Sequence, residues 1–517
     1  MAGSPARSGE STAPDTGHST AQRSQHRRPA IAPKVGRAGR RGDTEVASSK
    51  CLTVLSLSPD VIFVEVMEMT SRVLIIGAGF AGLTAARELE ALGAEVEIFE
   101  ARDRVGGRAW TTELLGHTLE LGATWVHWMQ PFVWTEIVRY NQKLVASPDY
   151  EKAMWLGGGD VHVGSEEDLD ATLQRPQAKI FEDSEEFFQF PHDPLYVLSE
   201  NYDGDPDVAE RFRQADEGSV LDALRNGDYS QEEIDVCDAY WSAGYNGYTA
   251  TASPLMAKHW AALSDHRLSL LDEQTLKFKL AGGMRGLYDN IADDVRGPIH
   301  LSTPVAKIEH GDGARLTLAD GRVVDGDAVI CTVPIGALPG VEFSPALPEA
   351  MRSVVETGTN STGFKIWIKI KGHHNFIATA PQPSPIAMTK AEYFLDDDTT
   401  ILVGFGADHT AIDLTDTAQV QEILRQWDPE ISVVDSGGHD WSADQWSGQT
   451  WATIRSGQFI NGWSTFLDTD SALYFAGADY AKGWNGVVVD GAIESGITTA
   501  RRVHRETAAV RTERSAS

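Results

Sequence analysis

The hydrophobic pattern of the chain is most regular between residues 72 and 100. Residues 73–76 are all apolar, which is typical of a strand buried on both faces of a parallel sheet. After a glycine-rich turn, the pattern predicts a helix over residues 83–92 and a second strand over residues 95–99. This order of strand, turn, helix and strand predicts a βαβ unit.

Helical periodicity reappears within residues 146–276, after several acidic loops. Ser230 and Glu233 have the spacing of a capping box, which predicts a helix start at that point. Apolar residues follow at helical spacing and indicate a face packed in the core, namely Ile234, Cys237 and Trp241. Strand and helix patterns together predict an α/β fold, α+β over the whole chain.

The two ends of the chain lack core-forming periodicity. Residues 1–50 are rich in Ser, Arg, Gly, Pro and Thr, and residues 52–66 are apolar but too short and too charged to cross a bilayer. We therefore expect residues 1–66 to be a disordered leader and residues 508–517 a disordered tail. Translation from Met67 or Met69 is a plainer alternative for the leader.

Composition restricts the class of protein. The 517 residues are 42% hydrophobic, which is enough for two or three globular domains. The formal net charge is -31, although residues 1–50 carry nine Lys and Arg against four Asp and Glu. The large negative charge outside residues 1–50 argues against nucleic acid and anionic membranes as partners. It would attract cationic substrates. Plain solubility explains the charge equally well.

The cysteines and histidines indicate no disulfide framework and no metal site. Only Cys51, Cys237 and Cys331 occur, and their spacing fits neither paired disulfides nor a zinc site. His373 and His374 have no partner at ligand spacing, so a polar turn is favoured. This cysteine usage predicts a reducing, cytoplasmic location.

Three glycines after the first predicted strand have the G-x-G-x-x-G spacing: Gly77, Gly79 and Gly82. The first permits a tight turn, the second lets the backbone approach a pyrophosphate, and the third allows close packing of helix on strand. The following helix directs its N-terminal amides at the phosphates. Glu100, after the second strand, can accept both hydroxyls of a ribose, which favours NAD or FAD over NADP.

Residues 100–108 extend this motif with the spacing E-x-x-x-x-x-G-G-R. The glycines allow close backbone approach, and the arginine can clamp a second phosphate. Together with residues 122–128 and 473–496, the extension resembles the flavin-containing amine oxidase (monoamine oxidase) family. The likeness covers nearly all of residues 72–503 and is closest to fungal and actinobacterial monoamine oxidases with noncovalent FAD.

The resemblance implies an FAD-binding Rossmann-like domain of the glutathione-reductase type, discontinuous in sequence. It also implies an inserted substrate domain of mixed sheet and helix. The expected boundaries are residues 70–145, 277–345 and 442–507 for the FAD-binding domain, and residues 146–276 and 346–441 for the substrate domain.

The resemblance further implies which residues contact FAD. They lie in the glycine-rich turn, its extension, the segment that crosses the flavin, an adenine-contacting strand and the C-terminal signature. In chain order they are Gly77, Gly79, Ala81, Gly82, Glu100, Ala101, Arg102, Gly107, Arg108, Gly122, Ala123, Thr124, Trp125, Val305, Gly477, Asp479, Val488 and Val489.

One lysine is implied to be catalytic. Lys365 aligns with the family lysine that holds a water against flavin N5. Lys369 and Lys371 lie nearby, and strand alternation puts Lys369 on the same face as Lys365. The pattern alone does not separate these candidates.

Trp451 is the second residue implied to be catalytic, because it aligns with one wall of the aromatic cage that orients the amine. The opposite wall falls at Val487 or Val488, which makes the cage half aliphatic. Residues 449–453 contain no cysteine where mammalian relatives attach the flavin, so FAD is expected to be noncovalent. His127 is a candidate base or covalent anchor, although a packing role is favoured.

The implied activity is oxidation of a small-molecule amine to an imine, which water hydrolyses to an aldehyde or ketone, while O2 is reduced to hydrogen peroxide. Alternatives are a flavin amine dehydrogenase with another electron acceptor and an enzyme resembling FAD desaturases or protoporphyrinogen oxidase. A non-catalytic flavin scaffold is the least favoured reading. No nucleic-acid or membrane partner is expected, and a homodimer is left open.

Overall fold

The computed structural model describes residues 51–56, 62–67, 70–469 and 471–516, and the disorder predicted for residues 1–50 lies outside these ranges. The strands are β1 (Cys51–Ser56), β2 (Ile62–Met67), β3 (Arg72–Ile76), β4 (Glu95–Phe99), β5 (Thr111–Leu114), β6 (His117–Glu120), β7 (Leu144–Ala146), β8 (Lys152–Gly157), β9 (Asp160–Gly164), β10 (Phe278–Leu280), β11 (Ile299–His300), β12 (Val305–His310), β13 (Ala314–Leu318), β14 (Val323–Gly326), β15 (Ala328–Cys331), β16 (Glu342–Ser344), β17 (Phe364–Lys371), β18 (Phe376–Thr379), β19 (Met388–Leu395), β20 (Thr399–Gly406), β21 (Val433–Gly437) and β22 (Leu473–Phe475).

The α-helices are α1 (Phe80–Ala91), α2 (Pro131–Arg139), α3 (Glu166–Phe181), α4 (Ser184–Phe187), α5 (Pro206–Glu217), α6 (Val220–Arg225), α7 (Gln231–Tyr245), α8 (Pro254–Leu263), α9 (Leu268–Leu276), α10 (Arg285–Asp294), α11 (Glu349–Thr357), α12 (Thr417–Leu424), α13 (Gln458–Asn461) and α14 (Val489–Ala516). Within the described ranges, no helix is both long and apolar enough to cross a membrane.

A five-stranded sheet has the order β11–β4–β3–β15–β22, and all its neighbouring strands are parallel. The predicted βαβ unit is present as β3, α1 and β4. The helix begins at Phe80 rather than at residue 83, because its N-cap, Gly79, is the last extended residue of the turn. The helices α1 and α14 pack on each other and on these strands.

A seven-stranded sheet has the order β21–β17–β20–β19–β18–β8–β9. Its neighbouring strands are antiparallel except for β18 and β8, which are parallel. The strands come from both stretches predicted for the substrate domain, and helices α3 to α9 separate β9 from β10 along the chain. The combination of a parallel sheet, a mixed sheet and helices confirms the predicted α/β fold.

The helical region has an aromatic core. The predicted capping box is present: the Ser230 hydroxyl accepts from the Glu233 amide at 3.2 Å, and the Glu233 carboxylate accepts from the Ser230 amide at 2.8 Å. Cys237 and Trp241 are fully buried in α7. Large rings from several helices surround them, including Phe212, Tyr245, Trp260 and Phe459.

Two terminal segments contain regular secondary structure. β1 and β2 pair antiparallel, and their sequences are mostly apolar with several β-branched residues, which suit strands. The last helix continues through Ala516, because its final turns are rich in Ala, Arg and Glu, which are good helix formers. These strands and the last turns of α14 lie within the stretches predicted to be disordered, residues 1–66 and 508–517, whose assignment as leader and tail stays a prediction.

Candidate active site

A large cavity begins at the carboxyl ends of four parallel strands. Ile76 ends β3, Glu100 follows β4, Thr332 follows β15 and Gly477 follows β22, and all of them line the cavity. The cavity extends to the seven-stranded sheet, where Lys365 and other side chains of β17, β19 and β20 line it. Ligands of open parallel sheets bind at the carboxyl ends of the strands, so this is the candidate active site.

Almost every residue predicted to contact a cofactor or substrate lies at this cavity. The lining includes Gly77, Gly79, Ala81, Glu100, Ala101, Arg102, Gly107, Arg108, Gly122, Ala123, Thr124, Trp125, Val305, Lys365, Trp451, Gly477, Val488 and Val489. Gly82 and Asp479 do not line it. Their roles are in the surrounding packing, as described below.

The glycine-rich turn leaves room for a ligand beside its backbone. Gly77 has φ +101°, and a Cβ there would lie 2.3 Å from Thr332 Oγ1, so only glycine fits. A Cβ on Gly82 would lie 2.0 Å from the Gly77 carbonyl oxygen, which explains why Gly82 packs against the strand instead of lining the cavity. A Cβ on Gly79 would lie in ordinary van der Waals contact with Gly107 Cα at 3.7 Å. The backbone of Gly79 lines the cavity, and its predicted contact with a pyrophosphate stays a prediction.

Two backbone amides fix the carboxylate of Glu100 at the cavity. One carboxylate oxygen accepts from the Ala78 amide at 2.6 Å and the other from the Arg102 amide at 2.8 Å. These bonds fix the carboxylate, and each oxygen keeps a lone pair for a ribose hydroxyl. Burial raises the pKa of Glu100, while the two amide hydrogen bonds oppose this shift.

Arg108 joins the two ends of the chain. Its guanidinium donates to the Thr450 carbonyl oxygen at 2.9 Å and forms an ion pair with Asp479. The carboxylate of Asp479 also accepts from the Ile335 amide at 2.9 Å and from the Gln449 side chain at 2.7 Å. Asp479 therefore orients Arg108 from just outside the cavity lining, and its predicted contact with the cofactor stays a prediction.

Lys365 lies at the junction of the two sheets and is 2% exposed. Its ammonium donates to the Glu120 carbonyl oxygen at 2.8 Å, the Gly122 carbonyl oxygen at 2.9 Å and the Thr124 hydroxyl. Burial lowers the pKa of Lys365 to about 7, and the nearby Glu120 carboxylate opposes the shift. Because three acceptors use its three N–H groups, a water held by Lys365 would replace one of these bonds.

The structure separates Lys365 from the neighbouring lysines. Lys369 forms an ion pair with Asp397 at 2.8 Å, Lys371 is exposed, and neither lines the cavity. The side chains of Lys365 and Lys369 share a face of β17 but reach different surroundings four residues apart. Tertiary position, and not strand alternation, identifies the lysine at the cavity.

Trp451 forms part of a more aromatic wall than the sequence predicts. Its indole N–H donates to the Gly244 carbonyl oxygen at 3.0 Å, and its ring lies 6.0 Å from that of Phe405 in an edge-to-face arrangement. Val487 and Val488 also line the cavity. The sequence analysis missed Phe405, although Phe405 pairs directly with Lys365 across β17 and β20 and so shares its face.

His127 is engaged by the protein and does not line the cavity. Its Nε2 lies 3.0 Å from the Glu273 carboxylate, and its Nδ1 accepts from the Met129 amide at 3.1 Å. These contacts favour the packing role over that of a base or an anchor. Cys237 and Cys331 are buried and likewise do not line the cavity.

Two parts of the cavity can now be named. The glycine-lined half contains Gly77, Gly79, Glu100, Gly107 and Arg108, and the aromatic half contains Tyr240, Trp241, Trp260, Phe405 and Trp451. Sequence analysis predicts Trp241 only as a core residue and does not identify Tyr240 or Trp260. In the part of the chain that the structure describes, no group of three His, Cys, Asp or Glu side chains could hold a metal ion.

The donor set of the glycine-lined half fits FAD: the backbone of Gly79 at the cavity, a fixed carboxylate at Glu100 and a guanidinium at Arg108. The chain belongs to the family of flavin-containing amine oxidoreductases, whose model matches residues 80–504. FAD is accordingly its cofactor.

Individual relatives are similar over most of their length. Pseudooxynicotine dehydrogenase from Pseudomonas sp is 30% identical over 430 residues, which cover 82% of this chain and 84% of that protein. (S)-6-hydroxynicotine oxidase from Paenarthrobacter nicotinovorans is 28% identical over 440 residues, which cover 82% of this chain and 96% of that protein. A solved double mutant of putrescine oxidase has a TM-score of 0.72 at 21% identity and covers 84% of this chain and 99% of that one, which shows a shared fold.

Proposed function

We propose that this flavin amine oxidoreductase oxidises a neutral amine to an imine in the aromatic half of the cavity and uses O2 as the final electron acceptor. One observation carries the proposal: a single continuous cavity joins the dinucleotide features around Gly79 and Glu100 to the aromatic wall around Trp451, with buried Lys365 between them. Bound FAD would supply the redox chemistry by accepting a hydride equivalent from the α-carbon of the amine, while the nitrogen loses a proton as the C=N bond forms.

The chain contributes binding and orientation. Trp451 and Phe405 offer an apolar wall, and burial of an unpaired ammonium against such a wall is costly, so the amine that reacts binds in its neutral form. The edge-to-face rings restrict the orientation of its α-carbon. Residues 146–276 and 346–441 supply most of this wall, in keeping with the proposed division into a cofactor domain and a substrate domain.

We propose that FAD is held without a covalent bond. Three observations support this: residues 449–453 contain no cysteine, Cys237 and Cys331 are not among the lining residues, and both ring nitrogens of His127 have partners in the protein. Acid precipitation should release the flavin into the supernatant. Flavin colour that stays in the pellet would instead indicate a covalent attachment.

The electron acceptor is decided by one experiment. Relatives include a protein named as a dehydrogenase and one named as an oxidase, so similarity alone leaves both open. Amines, including nicotine-type amines and alkyl diamines, are added to the enzyme without oxygen, and bleaching of the visible flavin band is recorded before air is admitted. Bleaching that reverses in air supports the oxidase. Bleaching without recovery supports a dehydrogenase, and no bleaching by any amine contradicts amine oxidation.

Two further properties stay predictions. Cysteine usage supports a cytoplasmic location, which fractionation of the native cells would test. The homodimer left open by the sequence would be tested by light scattering of the purified protein.

A further inference from the structure

Three charged side chains form a buried cluster next to the cavity. The charged cluster consists of Lys279 in β10 and of Lys390 and Glu392 in β19, and none of the three lines the cavity. Lys390 is 0% exposed and Glu392 is 2% exposed. The Glu392 carboxylate accepts from Lys390 Nζ at 2.5 Å and forms a second ion pair with Lys279. Two lysines and one glutamate give the cluster a net positive charge when all three are ionised.

The cost of burying these charges indicates a role other than stability. Burial alone would raise the pKa of Glu392, but the two lysines outweigh this effect and lower it, so the carboxylate is ionised. Ions lose their hydration when they are buried, and apolar side chains of similar volume often stabilise a core equally well. The cluster therefore keeps charge at a defined place in the interior, and its neighbours show what this charge can act on.

Trp125 connects the charged cluster to the cavity, which it lines. Its backbone forms an antiparallel bridge with Lys279. Its indole N–H donates to the Ser147 hydroxyl at 3.2 Å, and that hydroxyl donates to Glu392 at 2.6 Å. Lys390 Nζ lies over the indole, 5.3 Å from the ring centroid. The backbone, the N–H and the ring of Trp125 are thus each joined to the cluster.

Lys365 lies over the same ring as Lys390. Their ammonium nitrogens are 5.1 Å and 5.3 Å from the Trp125 centroid, so they can be no farther apart than the two distances combined. Buried charges at such separations interact strongly, because the interior has a low dielectric constant and salt screens it little. Removal of a charge from the cluster should therefore affect Lys365, which does line the cavity.

The charged groups around Lys365 oppose one another. Burial is the main cause that lowers the pKa of Lys365 to about 7. The carboxylates of Glu120, in β6, and of Glu392 oppose this lowering. The ammonium groups of Lys279 and Lys390 add to it. Every one of these groups except Glu120 belongs to the charged cluster, so the cluster's composition affects how readily Lys365 keeps a proton.

We propose that Lys390 and Glu392 are positioning residues: through Trp125 and Lys365, the charge of the cluster sets the pH range over which Lys365 carries its proton at the cavity. This inference rests on the proposed function and on the assistance of Lys365 in reoxidation of the flavin. Substitutions in the cluster should change events at the cavity although the substituted residues do not reach it.

The test measures the proton of Lys365 in two ways, both with the FAD-loaded enzyme. In the first, the flavin is reduced by light without oxygen, so no amine is needed, and its reoxidation by O2 is followed as a function of pH. In the second, the reduction potential of the flavin is measured against reference dyes over the same pH range. This potential should change its slope with pH where Lys365 gains or loses its proton, and the change should be absent in Lys365→Met.

The two members of the Lys390–Glu392 pair should have opposite effects. Lys390→Met removes a positive charge and should raise the pH of both transitions by about one pH unit. Glu392→Gln removes the negative charge and should lower both. A purely structural role would not produce shifts of opposite sign, because either substitution breaks the same ion pair.

The double variant with Lys390→Met and Glu392→Gln separates charge from packing. It removes one charge of each sign, so both transitions should return close to their wild-type pH. Damage to packing would instead leave the double variant at least as altered as the single ones. Should a single variant lose its flavin, the other single variant and the double variant still decide.

Lys258→Met is the matched control for loss of a buried lysine. Lys258 is buried in α8, its ammonium donates to the backbone carbonyl oxygens of Ile180 and Glu182, and it does not line the cavity. It should keep both transitions at their wild-type pH. A shift in Lys258→Met equal to that in Lys390→Met would overturn the inference.

The outcomes separate this inference from the proposed function. Transitions that stay at the wild-type pH in both single variants, or that move in the same direction in both, overturn the inference and leave amine oxidation standing. An enzyme that no amine reduces, or that air does not reoxidise, contradicts the proposed function, and the reduction potential still decides the inference. A wild-type potential without the slope change that depends on Lys365 overturns the inference alone.

Discussion

The two halves of the cavity are built in different ways. The glycine-lined half presents backbone at Gly77, Gly79 and Gly107 and two charged side chains, Glu100 and Arg108, all from a single segment of fewer than forty residues. The aromatic half presents side chains from three helices and from strands of the seven-stranded sheet. The first half can be specified by local spacing, whereas the second exists only when distant segments pack together.

The different construction of the two halves affects how each responds to substitution. Backbone geometry close to glycine changes little when side chains elsewhere are replaced, so a cofactor site built in this way tolerates variation in the substrate site. Aromatic side chains, by contrast, can be exchanged one at a time. Changes in the glycine-lined half should therefore affect retention of FAD, and changes in the aromatic half should affect the amine.

The largest expected effect is on the glycine-lined half. Glu100→Ala removes the carboxylate predicted to accept two charge-assisted hydrogen bonds from the ribose, each worth roughly 1.5–3 kcal/mol, and leaves the amides of Ala78 and Arg102 without their acceptor. FAD should bind about a hundredfold more weakly or worse, giving a largely apo protein on purification. The measurement is the ratio of flavin to protein absorbance.

Glu95→Ala controls for the loss of a nearby acid, because Glu95 begins the strand that precedes Glu100, is exposed and does not line the cavity. It should retain FAD. Full flavin occupancy in Glu100→Ala would show that Glu100 is not the ribose ligand and would remove the main support for the glycine-lined half as a cofactor site.

The second-largest effect is expected at Lys365, which lies at the junction of the two sheets. Lys365→Met keeps a similar volume and removes the ammonium, so the variant should retain FAD and still be reduced by amine. Reoxidation by O2 should slow on the order of tenfold or more, which corresponds to at least ~1.4 kcal/mol of transition-state stabilisation. The rate of flavin reoxidation by O2 is measured by stopped flow.

The pH dependence of the same reaction gives a second test of Lys365. Because burial lowers the pKa of Lys365 to about 7, the ammonium is present below that pH and lost above it. The rate at which O2 reoxidises the wild-type flavin should fall as the pH rises through about 7. This pH dependence should be absent in Lys365→Met. Lys369→Met, whose lysine pairs with Asp397 instead, should behave as wild type. Slow flavin reoxidation in Lys369→Met together with a normal rate in Lys365→Met would assign the role in reoxidation to Lys369.

A smaller effect is expected in the aromatic half. Phe405→Leu keeps an apolar side chain but removes the edge-to-face contact with Trp451, worth roughly 0.5–1.5 kcal/mol. It should retain full FAD and lower kcat/KM for the amine by about two- to tenfold. Phe394→Leu, at an exposed position of β19 outside the cavity lining, is the control. Loss of FAD in Phe405→Leu would contradict the separation of the two halves.

The smallest effect should come from the amino-terminal segment, which belongs to neither half. Among the strands that the structure describes, β1 and β2 pair with each other alone, and the five-stranded sheet uses strands from Arg72 onward. A chain that begins at Met67 should therefore fold, bind FAD and keep its turnover. An insoluble or flavin-free product would show that the preceding segment is structural.

The sequence by itself determined the βαβ unit, the glycine turn, Glu100 and the likeness to flavin amine oxidases. These depend on spacing over short segments, where backbone sterics and hydrogen bonding restrict the choice of residue. Lys365 and Trp451 were identified by resemblance, but strand alternation left Lys369 as a competitor.

Only the tertiary structure decided which side chains surround the substrate space. It separated Lys365 from Lys369, paired Phe405 with Lys365 across two strands, and placed Asp479 behind Arg108 rather than at the cavity. It also joined the charged cluster of Lys279, Lys390 and Glu392 to Trp125. These relations join segments up to 371 residues apart. No periodicity within one segment encodes them, because they depend on how the helices and the seven-stranded sheet pack against the parallel sheet.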